Sequence, residues 1–526
     1  MDKKKISINK GTPRSVKKTY VIWSFTFLII NFFAIFIKNS QIKTMDILST
    51  LVKASIVIWI INILYEKSFY VKDRFVDRRK IFTIFCLILF VCYSICFLTY
   101  FPGVGMNDGL NIFRSGMKLS GQFPVFYCGF LTLLAKIGTH LGSLQYSVIF
   151  YSFIQLCLCV FMTSGILLWI WLQPISRKYK YFTVIFFAFF PLFGLYAISM
   201  VKDTLFSIGL VLFSILLYEI LRKNRNFKSD KIVIFLFCLS AITVVLMRTN
   251  GIYIVLFSLM IAFLVSKKKN VILGCIAVVL LAMGFNALAL RRFNDRSYAQ
   301  EALAIPIQQV AATVAECGKL GNEKKLIAQI MPLEEIKKSY NPYTADPIKW
   351  NSNFDREFLD NHKREFLLCW LKLFPINFKV YVSAYCRQTY YFWAPIQDHK
   401  IQCFYTIETI YDNYWLKDFL KQSGIHDHSL MPKFIRAPLQ SYYRLALIFF
   451  NEGVCFWMGL TIFIADYQKN KEKGCIFLYL PAFGLWLTLM LSTPVASSFR
   501  YVLVYAYILP VFFSRLFTGD IKQENK

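Results

Sequence analysis

Six polar or charged side chains lie at the predicted ends of long apolar segments, all on one side of the membrane that these segments imply. They are Asp108, Lys202, Asp203, Arg248, Asn250 and Arg500. Ionisable residues at membrane depth cost roughly 2.5–3.5 kcal/mol on insertion scales, so they usually mark a functional site or a paired structural one. Arginine and lysine can hold a phosphate, and a carboxylate can take the proton of a hydroxyl. These residue types predict a site for a substrate with an anionic phosphate and a hydroxyl to be activated.

Asp108 follows an apolar segment and a turn that contains Pro102, Gly103 and Gly105. Proline and glycine break a helix and free the backbone for a tight turn. The turn presents Asp108 at the membrane rim, and we therefore expect it to be a general base. The structural alternative is that Asp108 caps a helix, with 107–109 as an Asn-Asp-Gly turn.

The other charged residues also have structural explanations. Lys202 and Asp203 are adjacent, so they could pair with each other or cap the helix that follows. Arg248 could only anchor a helix end to lipid headgroups. Arg500 sits where a snorkelling anchor would also sit. The residues alone leave these alternatives open.

The composition predicts a polytopic membrane protein. Of 526 residues, 57% are hydrophobic and only 17% are charged, and the chain holds 53 Phe and 30 Tyr, which suit lipid-facing helices and interfacial belts. The formal net charge of +30 gathers in short loops between apolar segments. This is the positive-inside pattern, which implies anionic lipid as a partner and no nucleic acid.

Twelve apolar segments predict an all-α polytopic fold with about twelve transmembrane helices, both termini in the cytoplasm and the charged rim outside the plasma membrane. The segments are 20–37, 45–65, 81–100, 146–172, 182–200, 205–221, 232–247, 252–265, 271–290, 445–465, 475–491 and 501–517.

The predicted organisation has five parts. They are a cytoplasmic basic tail at 1–19, a transmembrane region at 20–290 with its first external loop at 101–144, an external domain with interfacial helices at 291–441, C-terminal transmembrane helices at 442–517 and a cytoplasmic tail at 518–526. Within the external domain, aromatic residues alternate with basic ones over 362–393, which favours a stretch lying on the membrane. The alternative is that this stretch packs as the core of the domain.

Other chemistries find no motif in the chain. There is no Gly-x-Ser-x-Gly, no Walker-type Gly-Lys-Ser/Thr and no His-Glu-x-x-His. The 14 cysteines include no Cys-x-x-Cys pair, and most lie in apolar segments, where thiols behave as small hydrophobes. We expect no cofactor.

The layout resembles the GT-C superfamily of polytopic glycosyltransferases. Its members share a catalytic aspartate in the first large external loop, interface helices after it and an external segment late in the chain. Asp108, in Pro102-Gly-Val-Gly-Met-Asn-Asp108, matches the position of that aspartate. Five strings also resemble an uncharacterised bacterial family of GT-C-like membrane proteins, and this resemblance spans from about residue 100 to residue 517. They are Val201-Lys202-Asp203-Thr204, Arg248-Thr-Asn250-Gly251-Ile-Tyr253, Ile305-Pro306-Ile-Gln308-Gln309, Tyr340-Asn-Pro342-Tyr-Thr-Ala-Asp346-Pro347 and Phe499-Arg500-Tyr501.

The chain departs from the superfamily in two places. Many relatives carry a His-Pro pair after the aspartate, where this chain has Gln122-Phe123-Pro124. Members that use a metal place acidic pairs in their external loops, where this chain has Lys202-Asp203. We therefore expect no obligatory metal.

The charged rim and the resemblance together imply an inverting glycosyltransferase. It would move a sugar from a polyprenyl-phosphate donor, undecaprenyl in a bacterium, to an unidentified cell-envelope acceptor outside the membrane. Asp108 would be the general base, Lys202, Arg248 and Arg500 would neutralise the lipid phosphate, and Asp203 and Asn250 would orient the sugar or the cations. The alternatives are a transporter or flippase of lipid-linked sugars, a non-catalytic relative, or a receptor with a ligand-binding external domain.

Overall fold

The computed structural model describes residues 14–39, 50–51, 55, 77–114, 123–222, 231–292, 299–395, 419, 422–426, 429–449, 451–470, 473–492, 494–496 and 498–518. Across these ranges the regular structure is helical, and extended pairing is limited to two isolated β-bridges. The predicted all-α class is therefore confirmed for this part of the chain.

The first described helices run to residue 292. They are α1 (Arg14–Asn39), α2 (Arg78–Thr99), α3 (Asn107–Arg114), α4 (Val125–His140), α5 (Leu144–Trp171), α6 (Arg177–Phe189), α7 (Pro191–Ala197), α8 (Asp203–Leu221), α9 (Lys231–Met247), α10 (Gly251–Val265) and α11 (Lys269–Arg292).

The remaining described helices begin after residue 303. They are α12 (Ala304–Ala315), α13 (Lys324–Ile330), α14 (Leu333–Ser339), α15 (Asp346–Lys349), α16 (Arg356–Asn361), α17 (Lys363–Ile376), α18 (Phe378–Gln388), α19 (Tyr390–Trp393), α20 (Lys433–Phe449), α21 (Glu452–Asn470), α22 (Ile476–Ser492) and α23 (Leu503–Phe517), with short 3₁₀ turns between some of them.

Five helices in the described ranges are long and apolar enough to cross a membrane. They are α2, α5, α8, the Lys269–Ala289 part of α11, and Phe499–Phe517, in which a 3₁₀ turn leads into α23. Two further pairs qualify if each is taken as one broken span: α6 with α7, bent by 48°, and α17 with α18, bent by 110°. The architecture is that of a helical membrane protein with five to seven candidate spans, so the expectation of about twelve is corrected.

The difference comes from short and interrupted helices. α10 has 15 residues, which is about 23 Å of helix against a hydrocarbon core of about 30 Å. The predicted segment 182–200 bends where α6 ends and Pro191 opens α7, because proline lacks the N–H that would continue the helical ladder. The segment 445–465 is divided between α20 and α21. The segment 45–65 lies outside the described residues except for 50–51 and 55.

The main core is arranged around α8. Phe206, Leu210, Phe213 and Leu217, three or four residues apart along this helix, are all fully buried. The helix is enclosed by α5, α9, α22 and α23, and Phe213 stacks on a phenylalanine of α9. A helix that is apolar on every face is a buried one. The polar residues at its start are consequently carried into the interior.

A second apolar cluster lies within 303–381, where α12 packs against α14, α17 and α18. The opposite faces of α17 and α18 expose Leu367, Leu371, Phe374, Ile376 and Phe378. One face of this bent pair is therefore core, as the second reading of 362–393 expects, and whether its exposed apolar face lies on a membrane stays a prediction. The placement of 291–441 outside the membrane stays a prediction.

Candidate functional site

The loop before α3 is joined to the loop before α8. The N–H of Val104 donates to the carbonyl of Ile198 at 3.1 Å, and the N–H of Met200 donates to the carbonyl of Val104 at 2.8 Å. These two bonds form an isolated parallel bridge between residues that are far apart in sequence. Asp108, in the first turn of α3, is thereby brought alongside Lys202, which precedes α8.

Helix α5 supports both loops from the buried side. The amide of Gln155 donates to the carbonyls of Tyr196 and Ser199 at 3.0 and 2.6 Å. Gly103 has a φ of +142°, and a Cβ there would lie 1.9 Å from the hydroxyl of Ser152. Only glycine combines this backbone angle with so close an approach. The glycine of the predicted turn is thus required for the loop to pack on α5.

Asp108 forms ion pairs with two cations through one oxygen. Its Oδ2 lies 3.0 Å from Lys202 Nζ and 3.1 Å from Arg500 Nη1. Burial alone would raise the pKa of Asp108, but the charges of Arg500 and Lys202 and their hydrogen bonds hold this pKa below its usual value. Asp108 is consequently ionised across the physiological range.

Asp203 forms the most buried ion pair of the cluster. Its Oδ1 lies 2.9 Å from Arg248 Nη1, and the two side chains are 1% and 11% exposed. The guanidinium of Arg248 also lies between two rings, 5.2 Å from the centroid of Phe206 and 4.9 Å from that of Tyr501. Cation–π contacts of this kind stabilise a cation that water reaches poorly. Arg248 is therefore held by the protein interior, and it does more than anchor a helix end.

Tyr501 connects the two sets of ion pairs. Arg500 Nη2 donates to the hydroxyl of Tyr501 at 2.7 Å, while Arg248 lies over the ring of the same tyrosine. Lys202 has an aromatic neighbour as well, with its Nζ 4.9 Å from the ring centroid of Phe123. The contacts of these cations with aromatic rings were not predicted from the sequence, because the spacing of the aromatic residues along the chain does not distinguish these rings from others.

Asn250 lies apart from the ion pairs. Its Nδ2 donates to the hydroxyl of Thr488 on α22 at 3.1 Å. Gly251, next in the chain, packs tightly, since a Cβ on it would lie 2.4 Å from the carbonyl of Val244. Asn250 thus ties the turn between α9 and α10 to α22.

The structure brings five of the six predicted residues into one ion-pair cluster: Asp108, Lys202, Asp203, Arg248 and Arg500. Lys202 and Asp203 do not pair with each other, because each takes a partner from elsewhere in the chain. Two carboxylates face three cations, so the cluster carries one net positive charge. Within the ranges that the structure describes, no three His, Cys, Asp or Glu side chains gather as a metal-binding group.

Another buried acid was not singled out from the sequence. Glu452 opens α21 and is 4% exposed. The helix start at Glu452 was missed because the predicted segment 445–465 treats this residue as part of a transmembrane span. The Asn-Glu-Gly string at 451–453 is the signal that could have revealed a helix start there.

Comparison with known proteins identifies a family and no activity. A family described as a family of unknown function, DUF6020, matches residues 116–525. The match covers Lys202, Asp203, Arg248 and Arg500, whereas Asp108 precedes it. No curated protein and no solved structure matches the chain.

Proposed function

We propose that this chain, which belongs to the family of unknown function DUF6020, is a membrane glycosyltransferase with a GT-C-like architecture. It would transfer a sugar from a polyprenyl-phosphate donor to a cell-envelope acceptor outside the plasma membrane. The observation that carries the proposal is the cluster of three cations and two carboxylates at one set of helix ends. Its parts come from segments as far apart as Asp108 and Arg500.

The cations support the binding of a phosphate. Lys202, Arg248 and Arg500 each retain donors beyond those used in the ion pairs, since ammonium has three N–H groups and guanidinium has five. A phosphate placed among them would meet charge-assisted hydrogen bonds in a site of low dielectric constant, where such bonds are strongest. As the donor is cleaved, these cations would neutralise the leaving lipid phosphate.

Asp108 would serve the acceptor. Both ion pairs use Oδ2, which leaves Oδ1 to accept a hydrogen bond from the acceptor hydroxyl. The hydroxyl oxygen would attack the anomeric carbon, the bond from that carbon to the phosphate oxygen would break, and the phosphate would keep the electron pair. The hydroxyl proton would pass to Asp108. An oxocarbenium-like transition state requires little activation of the nucleophile, so a weakly basic carboxylate is sufficient.

The remaining assignments follow from this placement. Asp203 would orient Arg248, and Asn250 would fix the turn that presents it. The site would face outside, with both termini in the cytoplasm and anionic lipid around the basic loops. The acceptor is left open.

The proposal is tested by sugar transfer with purified protein in nanodiscs. The substrates are radiolabelled undecaprenyl-phosphate sugars with an envelope fraction as acceptor, and the variants are Asp108→Asn and, as control, Asp346→Asn. Asp346 also pairs with a lysine, 3.0 Å away, but lies outside the cluster. We expect the control to transfer label like the wild type and Asp108→Asn to lose about a hundredfold or more in rate.

Three outcomes separate the alternatives. Full transfer by Asp108→Asn would exclude Asp108 as the base. Binding of the sugar lipid by wild type and variant without turnover, with acceptors supplied, would favour a flippase. Binding of no sugar lipid at all would leave the cluster with a structural role only and end the proposal.

A further inference from the structure

Tyr501 lies on the accessible side of the ion-pair cluster. The side chains of Arg500, Asp108 and Lys202 are 20%, 19% and 13% exposed, whereas that of Asp203 is 1% exposed. The cluster is therefore open to its surroundings on the side of Asp108 and closed on the side of Asp203. Tyr501 is half-buried and is hydrogen-bonded to Arg500, which places its hydroxyl on the open side.

A 3₁₀ turn presents Arg500 and Tyr501 to the cluster together. The turn covers Phe499–Val502, and its first and last residues are both buried in the main core. The N–H of Tyr501 also donates to the carbonyl of Ser498 at 3.2 Å. Because the two ends of the turn are anchored in the core, the backbone holds the two half-buried residues between them in place.

The ring of Tyr501 is held by two guanidinium groups. The Cζ atoms of Arg248 and Arg500 lie 4.9 and 4.8 Å from the centroid of this ring. Contacts of a cation with the face of an aromatic ring are attractive, and more so where water is partly excluded. Rotation of the side chain out of the cluster would lose both contacts, so the direction of the hydroxyl is fixed.

The hydroxyl of Tyr501 accepts one hydrogen bond and still has its proton to give. Arg500 Nη2 donates to this hydroxyl at 2.7 Å. Within the part of the chain that the structure describes, the Tyr501 hydroxyl donates to no acceptor, whereas the hydroxyl of nearby Tyr127 donates to the carbonyl of Met200 at 3.0 Å. A hydrogen bond received from a cation polarises the hydroxyl and strengthens the bond that it can give.

Arg500 sets the position of this hydroxyl relative to Asp108. Arg500 Nη1 lies 3.1 Å from Asp108 Oδ2, while Nη2 lies 2.7 Å from the Tyr501 hydroxyl. The guanidinium is planar and its donors form a rigid fork, so the carboxylate and the phenol occupy neighbouring positions around it. A phosphate that binds Arg500 in the place of Asp108, or beside it, is therefore next to the Tyr501 hydroxyl.

We propose that Tyr501 is a further ligand-binding residue, whose hydroxyl donates a hydrogen bond to an oxygen of the phosphate held by Lys202 and Arg500. The site gains a contact with the phosphate and no additional charge has to be buried. This inference rests on the proposed function, because the phosphate is that of the polyprenyl-phosphate sugar. As the phosphate gains negative charge on leaving, the bond from Tyr501 becomes stronger.

The test compares two probes that differ only in the phosphate. Binding of undecaprenyl phosphate and of undecaprenol is measured in nanodiscs for the wild type, for Tyr501→Phe and for the protein with 3-fluorotyrosine at position 501. Tyr501→Phe keeps the ring and removes the hydroxyl. The fluorine makes the hydroxyl a better donor and a poorer acceptor. The control is Tyr385→Phe, because the Tyr385 hydroxyl donates to the carbonyl of Met490 at 3.1 Å and belongs to no part of the cluster.

We expect Tyr501→Phe to weaken binding of undecaprenyl phosphate roughly tenfold or more, as for a lost hydrogen bond to a charged group, and to leave binding of undecaprenol unchanged. 3-Fluorotyrosine should tighten binding of undecaprenyl phosphate at about pH 6, well below the range in which phenols ionise. Weaker binding by the fluorinated protein would mean that the hydroxyl only accepts from Arg500, and it would overturn the inference. Tyr385→Phe should bind both probes like the wild type.

The outcomes distinguish this inference from the proposed function. Equal binding of undecaprenyl phosphate by wild type and Tyr501→Phe, in a protein that transfers labelled sugar, would overturn the inference and leave the transferase proposal standing. Weakening of both probes alike would assign Tyr501 a structural role and also overturn the inference. Weakening of undecaprenyl phosphate alone, in a protein that transfers no label, would support the contact with the phosphate and refute the transferase.

Discussion

The buried pair of Asp203 and Arg248 gives the sharpest test of the cluster, through the variant Asp203→Asn. The change keeps the shape of the side chain and removes its charge. Arg248 Nη1, 2.9 Å from Asp203 Oδ1, would then stay in a position that is only 11% exposed. Leaving one charge of a buried pair without its partner costs about 3–5 kcal/mol. Because some water still reaches Arg248, we expect a loss of about 3 kcal/mol in the free energy of unfolding.

The measurement is the free energy of unfolding by steric trapping in bicelles, with two comparison variants. Asp203→Asn combined with Arg248→Met removes the stranded cation as well, and should recover stability to within about 1 kcal/mol of the wild type. Asp108→Asn alters the more exposed carboxylate, 19% accessible, and should cost only about 1 kcal/mol.

Two results would refute the reasoning. If Asp203→Asn cost no more than Asp108→Asn, burial would not govern the strength of these pairs. If Arg248→Met failed to rescue Asp203→Asn, the loss would come from something other than an unpaired cation, and the cluster would not be the electrostatic unit described above.

Three further predictions concern the loop, the bent helices and pH. Gly103→Ala should lower the free energy of unfolding by about 2 kcal/mol or more, whereas Gly142→Ala, also at positive φ but with open space around its Cβ, should cost about 1 kcal/mol in the same assay. A nitrobenzoxadiazole label at Ile376, an exposed apolar residue next to the 110° bend, should show the blue-shifted emission of a lipid environment in nanodiscs. The same label at Lys338 should show the emission of an aqueous environment. Aqueous emission from both labels would place the bent pair away from the membrane. The pKa of Asp108 is held below its usual value, so the stability that its charge contributes is complete above the pKa of an unfolded aspartate and is lost only as the pH falls through the folded pKa. The decrease in the free energy of unfolding on Asp108→Asn should therefore be equal at about pH 6 and about pH 8, and a difference would contradict the pairing.

The sequence predicted which charges would meet, and it did so from the alternation of loops. Apolar segments that cross in opposite directions place every second loop on one side, and this grouped Lys202 with Arg248 and Arg500. Which cation each carboxylate would pair with could not be predicted. The pairing depends on the bridge between Val104 and Ser199, which places Asp108 next to Lys202. Adjacency favoured a Lys202–Asp203 pair, yet neighbours in a helix point about 100° apart, and Asp203 turns toward Arg248.

The number of spans was overestimated for a related reason. Hydropathy records that a segment is apolar and does not record where its helix ends. The segment 182–200 reads as one span, although the chain bends where Pro191 opens α7. The same limitation concealed Glu452, because a helix start inside an apolar segment has no hydropathy signal.

The geometry of the cluster also explains how a ligand could enter it without a large desolvation cost. Lys202 and Arg500 both point at one oxygen of Asp108, so their charges, 13% and 20% exposed, are already partly desolvated and already converge. A phosphate oxygen that approached them would share or replace Asp108 as their partner, and no cation would have to be dehydrated anew. Arg248 cannot exchange partners in the same way, since Asp203 and two aromatic rings enclose it. The exchangeable half of the cluster is therefore the half that contains Asp108, and Arg248 would reach the phosphate only through the N–H donors that its pair with Asp203 leaves free.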